Sequence, residues 1–108
     1  MKPARLRLSA KRDLSDAAVY YAERGGEALG ENLLAQALSA LARIESMPGI
    51  GSPDSGQRIG LPSLRVWRLK VFAMRWFYFE RDAHLDVVRL LADRQDIAAI
   101  LADEPLSE

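Results

Sequence analysis

Apolar positions change their spacing along the chain, and these changes mark the predicted elements. Residues 5–8 alternate basic and apolar side chains, which predicts a short strand with one apolar face. Apolar residues then recur at helical spacing over residues 9–24, with Ser9 as the predicted N-cap, and again over residues 27–47. Only two glycines separate these stretches, so we expect an antiparallel pair of helices.

The second half of the chain predicts three strands. Residues 48–56 have the glycine, proline and aspartate density of a loop. Strand-like runs follow at residues 64–71, 74–80 and 85–91, then a closing helix at 93–101 and a frayed acidic tail at 102–108. The middle run is apolar on both faces, as expected for a strand that is covered on both sides.

The order β-α-α-β-β-β-(α) therefore predicts an α+β fold, in which a helical hairpin packs on a small antiparallel sheet. We expect one domain over residues 1–108, because a chain of 108 residues supports a single core. That core is expected to span about residues 5–101.

Composition narrows the function classes. With 49% hydrophobic and 28% charged residues, the chain resembles an ordinary globular protein. No apolar run approaches the roughly 20 residues of a membrane-spanning helix, and the N-terminus has no apolar signal segment. The absence of cysteine and a single histidine leave no zinc site, and no phosphate-binding glycine loop is present. We therefore expect a cytoplasmic protein with no metal, no cofactor and no membrane association.

The net charge of zero conceals blocks of alternating sign. Net charges of +5, −5, +5 and −5 fall on residues 1–12, 13–55, 56–81 and 82–108. One interpretation is mutual compensation between neighbouring elements on a solvated surface. The other is that the third block, which contains the predicted hairpin of strands, forms an electropositive face that meets an acidic partner.

Several short motifs occur in a fixed order over roughly residues 5–101. They are Leu8-Ser9 through Asp13-Leu14 to Tyr20-Tyr21, Met47-Pro48-Gly49, Leu64-Arg65, Phe72 with residues 75–79, and Arg89-Leu90-Leu91-Ala92 with Arg94 and Asp96-Ile97. Taken in this order, they resemble the ParE/RelE toxins of bacterial toxin–antitoxin modules, and their details favour the ParE, or plasmid-stabilisation, branch.

This resemblance implies a toxin that inhibits DNA gyrase and is neutralised by a ParD-type antitoxin, in a hetero-oligomer with it. Two alternatives remain: a RelE-like, ribosome-dependent mRNA-cleaving enzyme, and a degenerate member that only binds its antitoxin. Ala92 stands where many relatives carry histidine, and no histidine or tyrosine follows His84. Arginine is a poor general base because its pKa exceeds about 12. We therefore expect action by binding, with no catalytic residue and no direct nucleic-acid contact.

Candidate target-binding residues lie in the basic, aromatic-rich part of the chain. Arg65, Arg75 and Arg94 supply charge and hydrogen-bond donors. Trp67 and Phe72 are candidate apolar anchors, since aromatic residues are enriched at binding hot spots. The competing interpretation gives the arginines a role in solubility and the aromatic side chains a place in the core.

Candidate antitoxin-binding residues lie on the two predicted helices. Leu34 and Leu38 widen the apolar stripe of the second helix beyond what one buried face needs. We assign antitoxin contact to Tyr20, Leu34, Leu38 and Leu41. The antitoxin is expected to bind as an amphipathic helix or as an added strand.

Overall fold

The computed structural model describes residues 1–106 and contains one four-stranded sheet. Its strands are β1 (Ala4–Leu6), β2 (Leu64–Arg68), β3 (Met74–Glu80) and β4 (Leu85–Ala92), in the spatial order β1-β4-β3-β2. Strand β3 pairs antiparallel with both β2 and β4, whereas β1 runs parallel to β4. The predicted α+β class is confirmed. The sheet is mixed, not wholly antiparallel, because two helices rather than a tight turn follow β1 and leave its direction free.

Two long helices, α1 (Leu8–Gly25) and α2 (Glu27–Ser46), form the predicted hairpin. Gly26 joins them at φ 97°, a conformation that glycine adopts without steric cost. The prediction of Ser9 as N-cap is wrong: Arg7 occupies that position, and no side chain of residues 1–106 caps the helix. The Ser9 hydroxyl instead donates to the carbonyl oxygen of Val88 at 3.2 Å, so it connects α1 to β4.

The segment predicted as a loop is partly helical. It contains a 3₁₀ turn at Pro48–Ile50 and a short helix, α3 (Asp54–Arg58). Between them, Ser52 exchanges two backbone hydrogen bonds with Val66 on the outer edge of β2, at 2.9 and 3.0 Å. This segment therefore covers part of an edge strand that would otherwise expose unpaired backbone groups.

Both faces of the sheet are buried, as the apolar pattern of residues 74–80 predicted. Trp76 and Tyr78 face the helical hairpin, whereas Phe77 and Phe79 face the opposite side. The second side is covered by α4 (Ile97–Asp103), from which Leu101 enters the core. The Asp96 side chain caps this helix by accepting from the N–H of Ala99 at 3.1 Å.

The described part of the predicted frayed tail, residues 102–106, is partly helical and makes ion pairs with the rest of the fold. Helix α4 continues to Asp103, and Glu104 lies within 3.6 Å of Arg7 and 3.5 Å of Arg89. The Ser9 hydroxyl also donates to the Glu104 carboxylate at 3.2 Å, so this segment contacts both α1 and β4. The last two residues of the predicted tail lie outside the described residues.

Candidate functional site

An arginine-rich cluster lies where β2 and β3 meet the end of β4. Arg68 and Arg75 are cross-strand partners, and both bind Asp93, which directly follows β4. Arg68 contacts the two carboxylate oxygens at 3.1 and 2.9 Å, and the Arg75 Nε donates to Oδ1 at 3.0 Å. The hydrogen bonds from Arg68 are the main cause that holds the pKa of Asp93 below its usual range; burial opposes them, and the hydrogen bond from Arg75 adds to the lowering. Two cations share one carboxylate, so the cluster keeps a net positive charge.

The other predicted target-binding residues do not join this cluster. Arg65 donates to the carbonyl oxygens of Gly51 at 2.7 Å and Gly49 at 3.3 Å, so it holds the segment before α3. Trp67 is half-buried and packs against the core. Phe72 is buried and meets the Tyr21 ring edge-on at 4.9 Å between centroids, which excludes it as an exposed anchor in this structure.

Tyr20 and Arg94, which the sequence assigned to different partners, meet in one cleft. The Arg94 guanidinium lies 4.4 Å from the centre of the Tyr20 ring, and the Arg24 guanidinium lies 3.6 Å from it. The cleft has a volume of about 530 Å³ and is also lined by Asp16 and Glu23 on α1. Arg24 was not among the predicted site residues. The signal that could have found it was its place in the last turn of α1, four residues after Tyr20.

The predicted antitoxin-binding leucines divide between surface and core. Leu34 and Leu38 are 36% and 57% exposed and stand one helical turn apart on the outer face of α2. Leu41 is only 6% exposed and belongs to the core cluster, so it offers no surface for a partner. It occupies the buried stripe together with Ala37 and Ile44.

A basic cleft between α2 and the edge strand β2 was missed from the sequence. It has a volume of about 630 Å³, and its lining includes Trp67 and the cations Arg43, Arg68 and Lys70. No acidic residue lines it within the described part of the chain. The basic alternation of residues 64–71 indicated the wall that contains Arg68 and Lys70. The opposite wall, which contains Arg43, depends on how α2 crosses the sheet.

Candidate general bases lie away from the arginine-rich cluster. His84 follows the far end of β3, which spans about 20 Å at roughly 3.3 Å per residue. The buried Tyr78 hydroxyl donates to the carbonyl oxygen of Pro48 at 2.7 Å and accepts from the N–H of Gly51 at 3.0 Å. Burial is the main cause that raises the pKa of Tyr78. Over residues 1–106, no group of three acidic or histidine side chains is placed to hold a metal ion.

None of the helices formed by residues 1–106 has the length and apolar character required to cross a bilayer.

Comparison with known proteins finds similarity both to a family model and to solved structures. A family model described as the ParE toxin of the type II toxin–antitoxin system parDE matches residues 4–97. A solved structure titled "Chromosomal ParDE TA system from P. aeruginosa" is similar in fold, with a TM-score of 0.73 at 14% sequence identity. The similarity covers 85% of this chain and 96% of that one. No curated protein matches the sequence significantly.

Proposed function

Because this chain belongs to the ParE toxin family of type II toxin–antitoxin systems, we propose that it acts in the cytoplasm by binding DNA gyrase. Its neutralising partner in this proposal is a ParD-type antitoxin. The observation that carries action by binding is the arginine-rich cluster of Arg68, Arg75 and Asp93, which is exposed, cationic and remote from His84.

Cleavage of RNA would require different chemistry at this cluster. One group must accept the 2′-hydroxyl proton, and another must protonate the leaving oxygen. Arginine does not serve as the base at neutral pH. Asp93 is held by two guanidinium groups, and its lowered pKa makes it a weaker base than a free carboxylate. The Tyr78 hydroxyl is already hydrogen-bonded to the backbone of Pro48 and Gly51, so it is not available as a base. The groups at the arginine-rich cluster therefore support binding rather than cleavage.

The exposed face of α2 supports the proposed antitoxin contact. Leu34 and Leu38 form an apolar stripe that an amphipathic helix can cover. Addition of a strand at β2 is less favourable, because Ser52 already pairs with the outward N–H and carbonyl groups of Val66. We therefore favour a helical segment of the antitoxin on this surface.

The mechanism is tested with the purified protein in two parallel assays, gyrase supercoiling and mapping of cuts in translated mRNA. We expect inhibition of supercoiling with intact mRNA. Cuts at defined codon positions that Arg75→Ala abolishes would instead establish the RelE-like enzyme. Antitoxin binding without either activity, and without growth arrest, would establish the degenerate member.

The antitoxin surface is tested by Leu38→Asp, with Ile59→Asp as the matched control. Both side chains are exposed, at 57% and 40%, but Ile59 lies just after α3 and outside the proposed surface. We expect Leu38→Asp to weaken binding of the co-expressed ParD-type antitoxin by about tenfold or more, since each tenfold corresponds to about 1.4 kcal/mol. The control should bind normally. Unchanged affinity of a folded Leu38→Asp protein would show that this surface is the wrong one.

A further inference from the structure

The turn between β2 and β3, which we call the hairpin tip (residues 69–73), has an unusual backbone. Val71 adopts φ 74°, in the left-handed region that β-branched residues rarely enter. The carbonyl oxygen of Lys70 accepts from the N–H of Phe72 at 2.8 Å, so Val71 is the centre of a three-residue turn. A γ-turn with positive φ at its centre is rare and strained.

The surrounding structure holds this strained conformation from both sides. Leu69 and Phe72 are each 5% exposed and fix the two ends of the turn in the core. The N–H of Leu69 donates to the carbonyl oxygen of Met74, and the N–H of Asp93 donates to that of Ala73, both at 3.0 Å. Val71 itself is 85% exposed. The fold therefore supports a costly conformation whose visible result is to project one apolar side chain into solvent, a pattern typical of functional sites.

The surroundings of Val71 are cationic. Lys70 is exposed, has no ion-pair partner within residues 1–106, and lines the basic cleft together with Arg43. Arg68, which lines the same cleft, and Arg75 flank the tip at the end of β2 and the start of β3, with Asp93 as the acidic residue that pairs with them. An apolar point surrounded by positive charge is complementary to an acidic surface that contains an apolar pocket.

We propose that the hairpin tip is the element by which this protein binds its cellular target, an acidic protein surface into whose apolar pocket Val71 inserts. Lys70 and Arg43 contact carboxylates of that surface. This inference rests on the proposed function, action by binding, and adds the element that binds and the chemistry of the surface it meets.

Two observations favour a protein over a nucleic acid as the occupant. An isopropyl group gains little from contact with a phosphate backbone, whereas it can fill an apolar pocket. The chain as a whole has a net charge of zero, and nucleic-acid binding without base readout depends on a large positive charge. The tip also lies apart from the proposed antitoxin surface, since it belongs to the sheet and not to the outer face of α2.

The test uses Val71→Gly, because glycine tolerates positive φ and removes the side chain without strain. The melting temperature should be no lower than that of the wild type, and antitoxin affinity should be unchanged. Growth arrest on expression, and inhibition of gyrase supercoiling, should weaken by about tenfold or more. The matched control is Ile59→Ala, which shortens another exposed β-branched side chain, just after α3, and should leave both readouts within about twofold. Lys70→Glu should weaken the same readouts by reversing charge next to the tip.

Growth arrest and gyrase inhibition together separate the proposal that gyrase is the target from the proposal that the hairpin tip binds the target. Growth arrest without gyrase inhibition would refute the gyrase target, while the effect of Val71→Gly on growth arrest would still decide the role of the tip. A wild-type protein that causes no growth arrest would overturn both. Full toxicity of a folded Val71→Gly protein, loss of antitoxin affinity in it, or mRNA cleavage that Lys70→Glu abolishes would each overturn the inference about the tip.

Discussion

Asp13 on α1 and Arg89 on β4 form an ion pair with two hydrogen bonds, at 2.6 and 2.8 Å. One oxygen of Asp13 also accepts from the backbone N–H of Leu90 at 3.0 Å. The two side chains are only 12% and 19% exposed, so water competes weakly for them. The aspartate of the sequence motif Asp13-Leu14 therefore fixes the first helix to the last strand.

Asp13→Ala should destabilise the fold, because it removes both hydrogen bonds that its carboxylate accepts from the half-buried Arg89 guanidinium and the one that it accepts from the backbone N–H of Leu90. We expect a loss of about 1–3 kcal/mol in the free energy of unfolding, measured by urea denaturation. Asp16→Ala is the control, since Asp16 is exposed on the same helix. The assignment fails if both variants change stability equally.

Gly30→Ala should be destabilising although alanine favours helices by about 1 kcal/mol over glycine. An added Cβ would lie 2.7 Å from the carbonyl oxygen of Ala18 and 2.9 Å from the Cβ of Ala22, so the two helices would have to separate. We expect a net loss of about 1–2 kcal/mol. The added Cβ of Gly49→Ala meets no atom of the described chain within 4 Å, so this variant should change thermal stability by less than about 0.5 kcal/mol. Stabilisation by Gly30→Ala would contradict this packing.

Tyr78→Phe should loosen the segment that precedes α3. The variant removes the acceptor of the Gly51 N–H and the donor to Pro48, at a cost of about 1–3 kcal/mol. Amide hydrogen exchange at Gly51 should accelerate along with the fall in stability. Tyr20→Phe is the control, because no hydrogen bond of the Tyr20 hydroxyl occurs within the described chain. Unaltered exchange at Gly51 would exclude a role for Tyr78 in holding this segment.

Asp86 should make the protein sensitive to acid. Burial acts to raise the pKa of Asp86, but hydrogen bonds from Arg7 and Arg81 outweigh it and bring the pKa below the usual value. The folded state thus binds this proton less readily than the unfolded state does. The stabilisation is present in full above about pH 4 and is lost as the pH falls through the folded-state value.

Asp86→Asn should therefore lower the free energy of unfolding at neutral pH and flatten its decline below about pH 4. Urea denaturation at a series of pH values measures both effects. Asp82→Asn, which changes an exposed carboxylate in the preceding turn, is the control. An acid dependence as steep in Asp86→Asn as in the wild type would exclude this ion pair as its origin.

Periodicity predicted the elements well because burial repeats along each of them. The core stripe of α2 and the bounds of β3 follow directly from apolar spacing. The same stripe already placed Leu41 on the buried face, so its assignment to an antitoxin contact conflicted with the pattern. Strand β2 ends at Arg68, not at residue 71 as predicted. The prediction missed this because the strained turn at Val71 leaves no signal in the hydrophobic pattern.

Side-chain partners distant in sequence could not be predicted. Arg65 reaches carbonyl groups 14 and 16 positions earlier, and a long flexible side chain gives no indication of which acceptor it will find. The parallel direction of β1 depends on how the helical hairpin that follows it packs on the sheet, and this packing cannot be read from the sequence of β1. The basic cleft likewise joins Arg43 to Lys70 only once α2 has crossed β2.

The parallel pairing of β1 with β4 has a consequence for synthesis on the ribosome. Ala4 is paired with Leu85, so the first strand has no partner until most of the chain has been made. Until then the helical hairpin exposes the face that later covers Trp76 and Tyr78. Such late, non-local pairing slows folding and prolongs exposure of apolar surface. Chains released before residue 85 would therefore aggregate or be degraded, and prematurely terminated synthesis would yield no folded toxin.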